Sequence, residues 1–296
     1  MAHPILVGTC NWGDHDDFYP PELRGTRSKE RLSYYAQFFP LVEVDTTFYG
    51  IPKPAVTDAW AERTPPGFLF NVKAYKSLTG HERDGGAPRR PTKEEETDFL
   101  AAIAPLRDAG RLVALHYQFA PWMTNTPAAR EWLLDARDRH PDDVLAIEFR
   151  HRSWYGERVS ETEDLLRELD AVFVAVDAPQ IGSATAPPHL ALTSDKLCIV
   201  RFHGRNWRTW YIKNAKSSKD RFDYLYPPSE LQQWVPTVVE ASKRVPVHVL
   251  TNNNSGNSAV VNAFDLGRLL HLDLPAPPPP IQATIDERDS SAGRES

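Results

Sequence analysis

The chain has 296 residues, of which 41% are apolar and 25% charged. This composition supplies a sizeable hydrophobic core and excludes a disordered or fibrous protein. The formal charge of −6 argues against a protein that coats nucleic acid by bulk charge, although it leaves room for a local basic surface.

Eight short apolar runs predict β-strands, and most are followed by a polar loop and a segment with helical spacing. The strands are predicted at Ile5 to Thr9, Leu41 to Asp45, Phe68 to Lys73, Leu112 to Gln118, Val144 to Phe149, Ala171 to Val176, Leu197 to Phe202 and Val247 to Thr251. Helices are predicted near Lys29 to Phe38, Ala55 to Ala61, Lys93 to Ala109, Pro127 to Arg139, Ser160 to Leu169, Ser229 to Arg244 and Ser258 to Leu270. Between the sixth and seventh strands we expect no helix.

This alternation predicts a single-domain α/β protein, a (β/α)8 TIM-like barrel over residues 1–274. An open doubly wound sheet is the main alternative, but no glycine-rich dinucleotide fingerprint follows any strand. From Pro275 the composition turns to Pro, Ser, Asp, Arg and Gly, so we expect residues 275–296 to be a disordered tail.

The two cysteines, Cys10 and Cys198, support neither a disulfide framework nor a cysteine-based zinc site and indicate a reducing compartment. No apolar stretch approaches the length of a signal peptide's apolar region or of a membrane span. We therefore expect a cytoplasmic protein without a membrane partner. The oligomeric state stays open.

Chemically capable residues collect at the carboxyl ends of the predicted strands, where barrel enzymes place their active sites. Because strand side chains alternate between faces, Glu43 shares a face with Asp45, Glu148 with Arg150, and Arg201 with His203. The alternative is that they form ion pairs that only fill the barrel's upper layer. We favour a site, because ionisable residues are rarely buried without a reason.

A metal-free site explains these residues most simply. Glu148 or Glu43 is the predicted general base, with His203 or His81 as its acid partner and Lys73 beside them. An anion clamp is predicted from Lys73 and the forked donors of the three arginines Arg150, Arg201 and Arg205. The other predicted ligand-binding residues are Trp12, Asp45, Tyr49, Gln118, Asp177, Asn252 and Asn253.

Two loops on the same predicted face carry most of the positive charge. Residues 73–93 hold six cations against two carboxylates, and residues 201–223 hold seven against two. The second loop also contains the aromatic residues Trp207, Trp210 and Tyr211. Cations beside stackable rings suit an anionic small molecule with planar parts or a single-stranded nucleic acid. The alternative is a solvated loop whose aromatic residues pack on the barrel.

Several stretches resemble the successive motifs of the YecE-like family, also known as domain of unknown function 72, in order from about Ile5 to Leu270. They are Gly8 to Trp12, Val42 to Tyr49, Phe68 to Ala74, Ile147 to Trp154, Val200 to Arg205 and Asn252 to Ala263. The resemblance implies a TIM-like barrel whose activity is not settled, and a suggested similarity to endonuclease IV implies nucleic-acid binding. Two departures are Cys10-Asn11 in place of the usual Ser-Gly, and Asp45 in place of a common Asn.

Three functions are compatible with these features. We favour a hydrolase-like enzyme that acts on an anionic, phosphate-bearing or sugar-containing ligand at the barrel mouth. The second is a non-catalytic protein that binds nucleic acid through loops 73–93 and 201–223. The third is a metal-dependent sugar isomerase or epimerase, or an endonuclease IV-like phosphodiesterase. A divalent metal is less favoured because Lys73, Arg150 and Arg201 would repel it.

Overall fold

Valine and leucine are the commonest residues in the buried segments that pair into one parallel sheet. The computed structural model describes residues 2–25, 29–183, 185–210 and 221–292. The strands of this sheet are β1 (Ile5–Cys10), β2 (Leu41–Val44), β3 (Leu69–Lys73), β6 (Leu112–Gln118), β7 (Leu145–Glu148), β8 (Ala171–Phe173), β9 (Ala175–Asp177), β10 (Cys198–Phe202) and β11 (Val247–Thr251). A small antiparallel hairpin, β4 (Arg83–Asp84) and β5 (Ala87–Pro88), interrupts the connection after β3.

The sheet closes through one interrupted strand. Its order is β8-β7-β6-β3-β2-β1-β11-β10-β9, and β8 and β9 are two halves of the sixth predicted strand, separated only by Val174. The first half pairs with β7 and the second with β10, all in parallel register. The predicted TIM-like barrel is therefore confirmed, and the carboxyl ends of its strands meet at one mouth.

Helices follow most of the strands, close to the predicted positions. They are α1 (Glu30–Tyr35), α2 (Pro54–Glu62), α3 (Lys93–Asp108), α4 (Pro127–Arg139), α5 (Val159–Glu168), α6 (Pro228–Gln232), α7 (Val235–Ser242), α8 (Ser258–Leu269) and α9 (Pro279–Ala292). A capping box between Thr92 and Glu95 begins α3. The single helix predicted over Ser229 to Arg244 is two helices, since Pro236 lies in the first turn of α7. The described residues between β9 and β10 contain no helix, as expected.

The prediction of a disordered tail is wrong for most of its length, because Pro279–Ala292 form α9. Ile281 and Ile285, one helical turn apart, are both buried against the barrel. Arg288 adds a hydrogen bond of 2.7 Å to the buried carboxylate of Asp265 on α8. The predominantly polar composition of residues 275–296 led to the wrong prediction, because only two isoleucines form the apolar stripe of this helix. The last four residues of the predicted tail lie outside the described part of the chain.

The mouth end of the barrel interior is charged, in contrast to the mainly apolar side chains of the core around it. Glu43, His116, Glu148, Arg201 and His203 are all completely buried there. None of the helices in the described ranges is long and apolar enough to cross a bilayer.

Candidate functional site

Two carboxylates and one guanidinium form the centre of the mouth. The Arg201 Nη1 atom on β10 donates to Glu148 Oε2 on β7 at 2.5 Å, and Nη2 donates to Glu43 Oε1 on β2 at the same distance. These three strands are not neighbours in the sheet, so only closure of the barrel brings their side chains together. Such charge-assisted hydrogen bonds are among the strongest that a protein makes.

His116, on β6, lies between the same two carboxylates. Its Nδ1 is 3.2 Å from Glu43 Oε2, and its Nε2 is 3.3 Å from Glu148 Oε2. His116 is not among the residues predicted from the sequence, because it lies two positions before the strand end. Its parity with Gln118, which was predicted to face the mouth, is the signal that would have found it.

Gln118 and His203 also contact Glu148, and Asn252 in turn contacts His203. Gln118 Nε2 donates to Glu148 Oε1 at 2.7 Å, and His203 Nε2 lies 3.1 Å from the same oxygen. Asn252 Nδ2 lies 2.7 Å from His203 Nδ1. With the amide nitrogen as donor, this contact places the imidazole proton on Nε2, facing Glu148. Burial lowers the pKa of His203 to about 4, so the ring is neutral at neutral pH.

Both central glutamates stay ionised despite their burial. Burial by itself raises the pKa of a carboxyl, but Arg201 and His116 outweigh it at Glu43 and lower that pKa. Arg201 and His203 do the same at Glu148, whose pKa lies well below its usual range. Because their oxygens already face these partners, the geometry suits Glu43 and Glu148 for fixing Arg201 and the histidines rather than for taking up protons.

Lys73 and Arg150 form a second, less saturated layer above this centre. Lys73 Nζ is 3.7 Å from Asp45 Oδ1 and 4.8 Å from the centre of the Phe48 ring. Arg150 Nη1 is 3.8 Å from Glu148 Oε1, and its guanidinium lies 5.1 Å from the ring of Trp210. Within the described ranges neither side chain makes a hydrogen bond. Their donors are therefore available to a ligand.

The electrostatics of this second layer are positive. Burial, with Arg201 and Arg221 nearby, lowers the pKa of Arg150 in spite of Glu148. Burial, followed by the charges of Lys73 and Arg150, lowers the pKa of His81 to about 3. His81 lies close to this layer, since its ring packs edge-on against Phe48 with centres 4.8 Å apart, and Phe48 also contacts Lys73. A bound anion would relieve this accumulation of positive charge.

Asp177 and Arg205, two predicted ligand-binding residues, are joined to each other. Arg205 donates to both oxygens of Asp177, at 2.8 and 2.7 Å. The hydroxyl of Tyr226 and the indole nitrogen of Trp234 fill the remaining positions around that carboxylate, at 2.7 and 2.8 Å. This arrangement fixes the chain after β10 on the barrel and leaves Asp177 little capacity for a ligand.

Three other predicted ligand-binding residues lie away from the Arg201 centre. Asn253 is buried and its amide donates to Tyr224 O and Asn262 Oδ1. Trp12 packs edge-on against Trp60, with ring centres 5.5 Å apart, in a cavity of about 240 Å³ lined by α1 and α2 residues. Tyr49 is 65% exposed beside Phe48. Only Tyr49, through Phe48, adjoins the Lys73 layer.

Three potential metal ligands also meet at the mouth, since Cys10, Glu43 and Asp45 bring donor atoms within 4.8 Å of one another. A cation already occupies this place: Arg201 Nη2 is 2.5 Å from Glu43 Oε1 and 3.3 Å from Cys10 Sγ. A metal ion there would be repelled by the guanidinium. We therefore assign these groups to Arg201.

The positive charge of the 73–93 loop is mostly neutralised by acids of the loop itself and of neighbouring helices. Lys76 pairs with Glu82 at 2.7 Å. Arg89 pairs with Glu95 on α3, and Arg90 with Asp135 on α4. The first basic loop is thus a weaker electrostatic surface than its composition predicts. In the second loop residues 211–220, with Tyr211 and three of the lysines, lie outside the described residues.

Comparison with known proteins identifies the family of this chain. The family model described as "Protein of unknown function DUF72" matches residues 6–284. The UPF0759 protein YunF of Bacillus subtilis is 34% identical over 274 residues, which cover 91% of this chain and 95% of YunF. The UPF0759 protein YecE of Escherichia coli K12 is 26% identical, over 75% of this chain and 85% of YecE.

Solved structures agree with this assignment. A DUF72 family protein from Enterococcus faecalis V583 superposes with a TM-score of 0.81 at 31% identity, covering 93% of this chain and 98% of that one. A DUF72 family protein from Thermotoga maritima MSB8 gives a TM-score of 0.76 at 31% identity, covering 91% and 100%. The similarity includes every strand that contributes to the mouth, and the chain therefore belongs to the DUF72 family.

Proposed function

We propose that the barrel mouth binds a small phosphate-bearing ligand between Lys73 and Arg150 and that the protein is a hydrolase-type enzyme acting on it. The observation that carries this proposal is that, among the described residues, no hydrogen bond uses the side-chain donors of these two cations. Only 10% of the Lys73 side chain and 16% of the Arg150 side chain are exposed. Cations this deeply buried usually have hydrogen-bonded partners, so this pair of side chains favours an anionic ligand.

The rest of the mouth supports such a ligand. A guanidinium matches two phosphate oxygens at once, and the Lys73 ammonium adds a compact charge. Beneath them, Glu43 and Glu148 hold Arg201 in place, so the floor of the site is rigid and ionised. A preorganised set of donors aimed at a developing anion is the main source of rate acceleration in many hydrolases.

Calorimetric titration with inorganic phosphate at low ionic strength tests the binding step. We expect Lys73→Met and Arg150→Met each to weaken binding at least about tenfold, because each removes a buried charge from the anion. Lys243→Met is the matched control, since this lysine is 59% exposed and pairs with Glu240 on the surface. Unchanged phosphate affinity in both mouth variants would refute the site.

Hydrolysis is tested separately with p-nitrophenyl phosphate and bis(p-nitrophenyl) phosphate, a monoester and a diester. We expect one of these compounds to be hydrolysed by the wild type, and the rate to be lost in the Lys73→Met/Arg150→Met double variant but retained in Lys243→Met. Phosphate binding without turnover of either ester would reduce the proposal to a binding protein.

A further inference from the structure

Asp45 differs from the other two carboxylates of the mouth because none of the described residues donates a hydrogen bond to it. Glu43 and Glu148 both accept from Arg201, and Glu148 accepts from Gln118 as well. The Oδ1 atom of Asp45 is buried yet accepts nothing. Asp45 directly precedes a short 3-10 helix, Thr46–Phe48, but its side chain makes no capping bond there. Its ion pairs with Lys73 and Arg201 are longer than hydrogen bonds, so the ion cluster supplies this buried oxygen with opposite charge but with no hydrogen bond.

The surroundings of Asp45 contain both signs of charge. Lys73 Nζ is 3.7 Å from its Oδ1, and Arg201 Nη2 is 3.9 Å away. Glu43, Cys10 and His116 are the other titratable groups that face it. Burial raises the pKa of Asp45, and the charge of Glu43 adds to that rise, while Lys73 opposes it.

An anion held by Lys73 competes directly with Asp45. Lys73 is the nearest cation to the Asp45 carboxylate, and it is one of the two cations assigned to the phosphate. A second negative charge at Lys73 would stand beside two carboxylates, Asp45 and Glu43, in a region shielded from water. Neutralising Asp45 removes this repulsion and turns a repelling acceptor into a hydroxyl donor for the anion.

We propose that Asp45 takes up one proton from solvent when an anion binds between Lys73 and Arg150, so that the site binds anion and proton together. The inference rests on the proposed function, since it requires that anion site. No bond of the ligand is broken in this step. The proton moves from water to an Asp45 oxygen, and the bound carboxyl can later return it to a leaving group.

Sulfate is the appropriate probe because it remains a dianion between pH 5.5 and 8 and cannot itself supply or accept the proton. Titration calorimetry in two buffers of different ionisation enthalpy measures the protons taken up on binding. For the wild type we expect up to about one proton per sulfate and an affinity that falls by up to about tenfold per pH unit as the pH rises.

In Asp45→Asn we expect the proton uptake and the pH dependence to disappear, while sulfate binds more tightly than to the wild type at pH 8. Asp45→Ser serves the same purpose if the asparagine variant does not fold, as judged by circular dichroism. Asp98→Asn, an exposed carboxylate on α3, is the matched control and keeps the uptake. His81→Gln also keeps it, because His81 is not the proton acceptor.

The outcomes separate the two proposals. If sulfate does not bind the wild type at any pH, the anion site of the proposed function fails. If sulfate binds and Asp45→Asn still takes up the proton, only the inference about Asp45 is overturned. Loss of the uptake in His81→Gln would then assign the proton to the imidazole.

Discussion

Replacing Arg201 with methionine tests how much the buried ion cluster at the mouth contributes to the stability of the fold. Arg201 is fully buried and makes two hydrogen bonds of 2.5 Å to carboxylates that are also fully buried. A hydrogen bond to a charged group contributes about 1.5–3 kcal/mol, and removing one partner of a buried pair costs about 3–5 kcal/mol. We therefore expect Arg201→Met to lower the free energy of unfolding by about 3–5 kcal/mol at pH 7.

The cost of Arg201→Met depends on pH in a definite direction. In the wild type the lowered pKa values of Glu43 and Glu148 add stability above the usual carboxyl range, and this stability is lost as the pH falls through the folded-state pKa values. Without Arg201, burial dominates and raises both pKa values. The carboxyls then protonate at mild acidity, so the difference from wild type is smaller near pH 4.5 than at pH 7.

Urea denaturation followed by circular dichroism at the two pH values provides the measurement. Arg167→Met is the matched control, because Arg167 also bridges two carboxylates, Glu163 at 2.6 Å and Asp164 at 2.7 Å, but is 46% exposed. We expect that variant to cost less than about 1 kcal/mol, as surface pairs do. Equal losses in Arg201→Met and Arg167→Met, or no difference between the two pH values, would refute the reasoning.

Two further predictions concern the barrel and its C-terminal helix. Burial lowers the pKa of His248 to about 3, whereas the same imidazole in the unfolded chain has a pKa near 6.5. The unfolded chain therefore takes up a proton as the pH falls from 7 to 5, which lowers the free energy of unfolding by on the order of 2 kcal/mol. Denaturation of His248→Gln at both pH values should show a correspondingly smaller loss, and an unchanged pH dependence would contradict the assignment. Ile285→Ala should lower the free energy of unfolding by about 2–4 kcal/mol, because the side chain is buried between α9 and the barrel. Glu287→Ala on the same helix is the exposed control, and equal stability of the two variants in thermal denaturation would show that α9 does not stabilise the fold.

The barrel could be predicted from the sequence because the patterns that indicate its strands and helices are local in the chain. Each strand is a short apolar run and most helices carry the 3.6-residue spacing, so β6, β11 and α4 were predicted at their observed boundaries. The break at Val174 and the division of α6 from α7 were not predicted, since pairing and packing determine such interruptions. The helix α9 was not predicted because two isoleucines in a polar segment are too weak a helical pattern. They stabilise a helix only by packing against the folded barrel.

The candidate site was likewise predictable only in part. Strand-end position and face alternation alone indicated that Glu43, Lys73, Glu148, Arg150, Arg201 and His203 meet at the mouth. Their partners follow from the closed barrel, which brings β10 across the mouth from β2 and β7, so that Arg201 donates to both Glu43 and Glu148. Lys73 and Arg150, by contrast, make only longer ion pairs with the described residues. The sequence by itself thus determined the fold class and the residues at the mouth, because both depend on short-range periodicity. Only the tertiary structure decided which charges are neutralised, because a charge is neutralised by its neighbours in space, here residues up to 158 positions apart along the chain.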